Sequence, residues 1–397
     1  MKKFRQNGKQ VKIKRYKNNF TSSSTKAFIK KVFMIAIVLL ILFISGYFIG
    51  VFINDALIKS KAPVKLPNSS SDTNIDVNSQ ANFKLPEKEK QENSMPEIEK
   101  NSVWEDVNIL DLQNMDTAIA KASELQAKSV THAKIILKDV NGNLYFDTQN
   151  PQAQGAKLNV INDLPKIIEV FNKKGITLVA SIVAFQDSWA VYNINRDMCV
   201  KFASDASVMW LDNSPDLGGK PWLNPYNEEA QGYISAILQE VFDLGFKEVV
   251  IEKLHFPQGY ALELIGYGNE EIETSKNQEL KKFIEELYNM SKQSASVLWI
   301  EIPALALAGI DKSGYGEEPY NLQIPNMFVD VALSYEIDGS VTSRGVTKET
   351  LLSIEQNALK NNTINLGITV SNSSYDTIQA EQFYNNAPTG FSQKLYG

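Results

Sequence analysis

Residues 227–257 read NEEAQGYISAILQEVFDLGFKEVVIEKLHFP, and the architecture turns on this stretch. Asn227 offers a side-chain oxygen to the free N–H groups at a helix start, and Glu228 and Glu229 put negative charge in the first turn. Ile234, Ile237, Leu238, Val241 and Leu244 recur at helical spacing, predicting a helix over 228–244, and Gly245 stands where a left-handed residue ends it. Val249-Val250-Ile251 follows within a few residues as a short apolar strand. A helix that stops and returns so quickly to a strand is the repeating unit of a parallel α/β sheet.

The same alternation extends in both directions. Apolar runs at 107–110, 133–137, 176–185, 249–251, 297–302, 328–333 and 364–370 predict seven strands, and 391–395 gives a weaker eighth. Helical patterns lie between them at 116–127, 164–174, 195–203, 228–244, 277–292, 348–360 and 375–384. Eight strand-like runs predict an α/β fold of the (β/α)8 TIM-barrel type over residues 104–397, with an open doubly wound sheet as the alternative. No GxGxxG follows a strand and there is no Walker-type loop, which removes the usual nucleotide-binding form of that alternative.

In a barrel, chemistry sits at the C-terminal ends of the strands. Glu252 ends one apolar run and Glu301 interrupts the next, so the two are expected at adjacent strand ends. Two such carboxyls suit glycosidic cleavage, one donating a proton while the other attacks or activates water. Retention and inversion both stay open. Glu252, partly desolvated, is expected to have a raised pKa and to be the proton donor. Asp187, after the run at 176–185, is a third candidate acid, or else a helix cap. Trp189, Trp210, Trp222 and Tyr335 offer aromatic faces on which sugars stack, and His255 offers a hydrogen bond; core packing is the rival explanation for each. Cys199, the one cysteine, excludes an intramolecular disulfide and reads as a small buried hydrophobe. His132 and His255 are the two histidines and are far apart, so neither a metal nor another cofactor is expected.

Residues 32–53 form an uninterrupted apolar run without a charge, at ~1.5 Å per residue long enough for a bilayer core. Residues 1–54 carry eleven Lys and Arg and no Asp or Glu, while the remainder carries 29 basic against 46 acidic residues. This predicts a cytoplasmic basic tail (1–31), a single uncleaved membrane helix (32–53), and an exported body at the plasma membrane. An acidic body argues against nucleic acid as a partner. Between 54 and 103 prolines are scattered among Asn, Ser, Lys and Glu, predicting a flexible linker.

Residues 176–187 (ITLVASIVAFQD), 222–226 (WLNPY) and 244–257 (LGFKEVVIEKLHFP), in this order, resemble the ARIVxFKD, WLNPY and GFDEIQFDYVRFP signatures of DUF4015, a bacterial glycoside-hydrolase-like domain family. The turn at 138–142 (KDVNG) resembles the family's early KDxxG. The resemblance implies a TIM-type barrel acting on, or binding, an envelope or extracellular polysaccharide. It places Glu252 at the family's acidic position and brings Trp222, Asn224 and His255 into the same set. Lys253 stands for the family's Tyr, His255 for its Arg, Ser181 for the Arg of ARIVxFKD, and Ile136 for an early Asp. A membrane-tethered hydrolase using Glu252 and a second acid, and a non-catalytic sugar-binding relative, are the two functional expectations.

Overall fold

The computed structural model describes residues 97–268, 270–331, 335–337, 340–342, 346–370 and 384–396, without the side chains of 270, 272, 335–337, 340–342 and 396. All lie in the compact unit Lys88–Gly397. The expected span at 32–53, the linker up to residue 96 and nearly all of the expected helix at 375–384 lie outside the described residues. Among the described residues no helix is long and apolar enough to cross a membrane.

Eight parallel strands close into a barrel in which every neighbour in sequence is a neighbour in space. They are β1 (Ser102–Asp106), β2 (His132–Lys138), β3 (Thr177–Val183), β4 (Glu248–Glu252), β5 (Val297–Pro303), β6 (Asn326–Asp330), β7 (Asn365–Thr369) and β8 (Phe391–Tyr396). β8 pairs with β1, Trp104 lying opposite Leu395, and seals the sheet. The helices α1 (Met115–Ala127), α2 (Leu164–Lys173), α3 (Glu228–Asp243), α4 (Lys276–Gln293) and α5 (Lys348–Lys360) connect consecutive strands. The open doubly wound alternative is thereby excluded.

Local chemistry sets the boundaries. Asn227 Oδ1 accepts from the Ala230 N–H at 2.9 Å to start α3. Ile234, Ile237, Leu238 and Val241 are buried beneath it, and Gly245 at φ 101° ends it one residue after the Leu244 cap. Ser275 and Gln278 form a reciprocal capping box at the start of α4.

Two expected elements are corrected. The first strand is Ser102–Asp106, not 107–110. Val107 N still bonds Lys134 O at 2.8 Å. Asn108 then accepts from Leu110 N and turns the chain into the 3-10 helix Ile109–Leu112. The sequence SVWED hides its strand because the buried Trp104 is followed at once by two charged residues, Glu105 and Asp106. The expected helix at 195–203 is absent. Asn195 caps a single 3-10 turn, Arg196–Met198, and Lys201–Phe202 joins a small antiparallel sheet with Asp205–Met209 and Ile265–Gly266.

The barrel interior is layered. Trp104, Val179, Val250, Trp299, Phe328 and Leu395 point inward and form an apolar plug separate from the core between helices and sheet. The Trp104 ring is edge-on to Trp299 and Phe328 at 5.6 and 4.8 Å. Gly367 on β7 makes this packing possible, since a Cβ there would stand 2.3 Å from the Phe328 ring.

Candidate active site

Side chains alternate along a strand, so the residue two positions beyond each plug residue also points inward, one layer nearer the C-terminal mouth. Those residues are Asp106 above Trp104, Ser181 above Val179, Glu252 above Val250, Glu301 above Trp299 and Asp330 above Phe328. Lys134 joins them from β2, two beyond His132, which stacks on Trp104 at 4.6 Å. A polar, mostly acidic ring therefore caps an apolar plug. The register Ile251 opposite Ile300 puts Glu252 and Glu301 next to each other on β4 and β5, as the sequence predicts.

The two glutamates differ in their partners. Lys134 Nζ reaches Glu252 Oε1 at 3.0 Å, and Ser181 Oγ donates to the same oxygen at 2.5 Å. Burial opposes ionisation of Glu252, but the Lys134 charge, the Ser181 hydroxyl and the nearby Lys253 outweigh it and hold its pKa below the usual glutamate value. Among the described residues no hydrogen bond or ion pair reaches the Glu301 carboxyl, and Lys134 and Lys253 act on it only through their charge. Burial, then the negative charges of Glu252 and Asp330, push its pKa well above that of an ordinary carboxyl. The expectation of a raised pKa at Glu252 is thus corrected: the raised group is Glu301. Burial works against the Lys134 ammonium, but Glu252, Asp106 and Glu301 outweigh it and raise its pKa. Lys134 also meets Asp106 at 3.4 Å, where 42% of the Asp106 side chain remains open to solvent.

A cleft of about 450 Å³ lies over the loops that follow β3 and β4, lined by Asp212, Lys220, Trp222, Lys253 and His255 among others. Lys253, directly after Glu252, takes the left-handed conformation at φ 53°. The His255 ring lies between Trp222 and Tyr315, with centroids 5.7 and 5.5 Å away. Its Nδ1 is 2.7 Å from the Phe256 carbonyl, which can only accept, so Nδ1 carries the hydrogen and Nε2 the lone pair. Burial and the Lys253 charge lower the His255 pKa to about 4, leaving a neutral ring. Among the described residues, buried His255 Nε2 and Tyr315 Oη have no hydrogen-bond partner. Burial, then the charges of Glu301, Asp311 and Asp330, push the pKa of the Tyr315 hydroxyl far up.

Of the remaining predicted residues, Trp222 shares this cleft and the others lie away from it or outside the described side chains. Asp187 is fully buried; it caps the helix Ser188–Asn193 through Ala190 N at 2.7 Å and pairs with Lys138 Nζ at 2.9 Å. Gly142 closes over it, since a Cβ there would sit 1.9 Å from its Oδ1. Trp189 packs against the core beside Gly155. Trp210 is fully buried and donates to the Ala261 carbonyl at 3.2 Å. Trp222 lines the cleft with its N–H donated to Asp212 Oδ2 at 3.0 Å. Asn224 braces a loop by donating to Tyr267 O at 3.1 Å, and it lines a different cleft. Tyr335 belongs to the ribbon Tyr335–Ile337, and its side chain lies outside the described residues. Cys199 is buried, and burial raises its pKa to about 11, in keeping with a packing role. Among the described residues no three His, Cys, Asp or Glu are arranged to hold a metal ion, the acidic ring included.

Asp106, Lys134, Asp330 and Tyr315 were not found from the sequence. Lys134 and Asp330 did carry a signal, a charge inside an apolar run two positions from an inward residue, and Asp106 became visible only once β1 was placed at Ser102–Asp106.

Comparison with known proteins follows this geometry. A family model described as "Putative glycosyl hydrolase domain", DUF4015, matches residues 110–318, more than half of the chain. No curated protein matches the chain in sequence. Among solved structures, the PgaB (BpsB) glycoside hydrolase domain from Bordetella bronchiseptica is similar at 10% identity and a TM-score of 0.53, covering 75% of this chain and 94% of that domain. A hypothetical protein from Ruminiclostridium thermocellum shares 18% identity over 49% of this chain and 95% of its own, at a TM-score of 0.41. An α-galactosidase from Thermus thermophilus shares 11% identity over 76% of this chain and 59% of its own, at 0.45. At such identities the likeness to the PgaB domain is one of fold.

Proposed function

The chain belongs to the DUF4015 family of glycosyl hydrolase domains, and from that premise we propose that it cleaves a polysaccharide with Glu301 as proton donor and Glu252 as its ionised partner. One observation carries this reading. Two inward glutamates on adjacent strands have pKa values displaced in opposite directions, which is how a site assigns acid and base roles to like groups. Glu301, kept protonated, gives its proton to the departing glycosidic oxygen. Glu252 and Glu301 are neighbours on paired strands, one position beyond the pair Ile251 and Ile300, and we assign them the retaining arrangement, in which the second carboxyl is the nucleophile. Glu252 therefore attacks the anomeric carbon, and water later releases the sugar. Asp187, locked as cap and ion-pair partner, supports the β3 end from below, and Trp222 faces the sugar.

Full-length protein incubated with envelope and plant polysaccharides tests the reading. Glu301→Gln and Glu252→Gln should each lower a cleavage rate by about 10²–10⁴-fold, and the first product should keep its anomeric configuration by NMR. Undiminished cleavage by both folded variants would sink the assignment. A second reading rests on the Lys134 ion pair, which ties up the one carboxylate that must attack. On that reading the cleft binds oligosaccharide without cutting it, and saturable binding with no product at any pH decides for it.

We further propose that residues 32–53 anchor the protein in the plasma membrane, residues 1–31 inside and the body outside, acting on an envelope or extracellular glycan. The charge asymmetry across the apolar run supports this orientation. Protease added to intact cells should remove the body; a protected body would reverse the topology.

A further inference from the structure

Lys253 is partly buried, lines the cleft, and its ammonium makes no hydrogen bond or ion pair among the described residues. Its neighbour Glu252 is the obvious partner. Lys134 and Ser181 both meet its Oε1, whereas Lys253 adds its charge to the site without a hydrogen bond or ion pair to Glu252 among the described residues. Lys220 brings a second ammonium to the cleft, steadied by Asn141 Oδ1. The lining contains one acid, Asp212. Its oxygens are occupied by Lys220 N at 2.7 Å, Trp222 Nε1 at 3.0 Å and Gln186 Nε2 at 3.4 Å. Two lysines thus face a cleft whose one carboxylate is turned to internal donors, in a chain that beyond residue 54 is strongly acidic. His255 adds the second requirement. It is 2% exposed and lines the cleft, and its unpartnered Nε2 can only accept, so it suits a hydroxyl donor. Tyr260, next to the lining residue Gly259, is 53% exposed at the rim.

We propose that this cleft is a subsite for an anionic sugar, whose carboxylate or sulfate is held by Lys253 with Lys220 while a ring hydroxyl donates to His255 Nε2. The inference rests on the glycoside hydrolase reading and names the substrate class for it. The left-handed backbone at Lys253 fits such a task, because a strained residue at a strand end persists where the surrounding structure holds it for a ligand.

The test is calorimetric binding of full-length protein to four size-matched oligosaccharide sets: uronate, sulfated, neutral and glucosamine-based. One anionic set should bind at least about tenfold more tightly than the neutral set, with a preference that fades as salt rises. The uronate and sulfated arms identify the source of the charge. Lys253→Asn keeps a residue that tolerates the left-handed backbone and removes the charge; it should lose the anionic preference, and Lys253→Arg should retain it. Tighter binding of neutral or glucosamine oligosaccharides, or an unchanged preference in folded Lys253→Asn, overturns the inference while leaving the hydrolase reading in place. Absence of binding and cleavage with all four sets overturns both.

Discussion

The two ends of the barrel use the same kinds of residue to opposite ends. β4 begins with Glu248 and finishes with Glu252, both pointing inward. At the closed end Glu248 Oε2 accepts from Trp299 Nε1 at 2.8 Å, and Oε1 meets His132 Nε2 at 3.2 Å. His132 Nδ1 is in turn 2.8 Å from Thr131 Oγ1, and Trp104 Nε1 donates to Gln393 Oε1 at 2.8 Å. Each polar group there has a protein partner. At the mouth, Glu301 is held against its preferred charge, and among the described residues His255 Nε2 and Tyr315 Oη have no hydrogen-bond partner and Lys253 makes no hydrogen bond or ion pair. The difference separates a satisfied network from an unsatisfied one. The satisfied end ties strands of the barrel together, and the unsatisfied end is the one to which the proposed function assigns a ligand.

That contrast can be broken at several depths. Trp104→Ala should have the largest effect, removing the centre of the plug together with a stacking and a hydrogen-bond partner. The expected loss is about 3–5 kcal/mol in urea denaturation of the full-length protein. Less than about 1 kcal/mol would mean the plug collapses around the hole. Glu248→Leu should cost about 1–3 kcal/mol, because the Trp299 N–H is left buried without an acceptor; a neutral result would show that the closed-end network adds nothing to stability.

Glu301→Gln should behave in the reverse way. A carboxyl with a raised folded-state pKa contributes stability below its unfolded value, near 4.3, and that contribution is lost as pH rises through the folded value. The variant should match wild type in acid and become the more stable of the two as pH climbs past the ordinary carboxylate range. Glu252, shifted downward, works the other way: its contribution is present above the unfolded value and is lost as pH falls. Thermal melts of Glu301→Gln and wild type across pH 4 to 9 check this. Parallel curves would mean that Glu301 is not held protonated.

Much of this was legible in the sequence where structure is local. Asn227, the apolar stripe and Gly245 all act within one helix, so α3 and β4 were placed within a residue or two. Glu252 and Glu301 stood out as carboxyls in apolar strands for the same reason. The division of labour between them was not legible, because it depends on Lys134, 118 positions from Glu252. A residue paired through space leaves no mark beside its partner. β1 was misplaced because one tryptophan among charged residues looks unlike a strand until Leu395 lies opposite it. Asp187 shows the converse: its position after a strand fits an acid or a cap equally, and only Lys138 and Gly142 reveal how completely it is enclosed.

The seam of the barrel has a consequence in time. Trp104 on β1 donates to Gln393 on β8, 289 residues further along the chain. At about 5–20 residues per second, a ribosome delivers the first strand roughly 15–60 s before the last. Throughout that interval one edge of β1 has nothing to pair with and is open to any extended chain nearby. Losing the last half-dozen residues would make that open edge permanent.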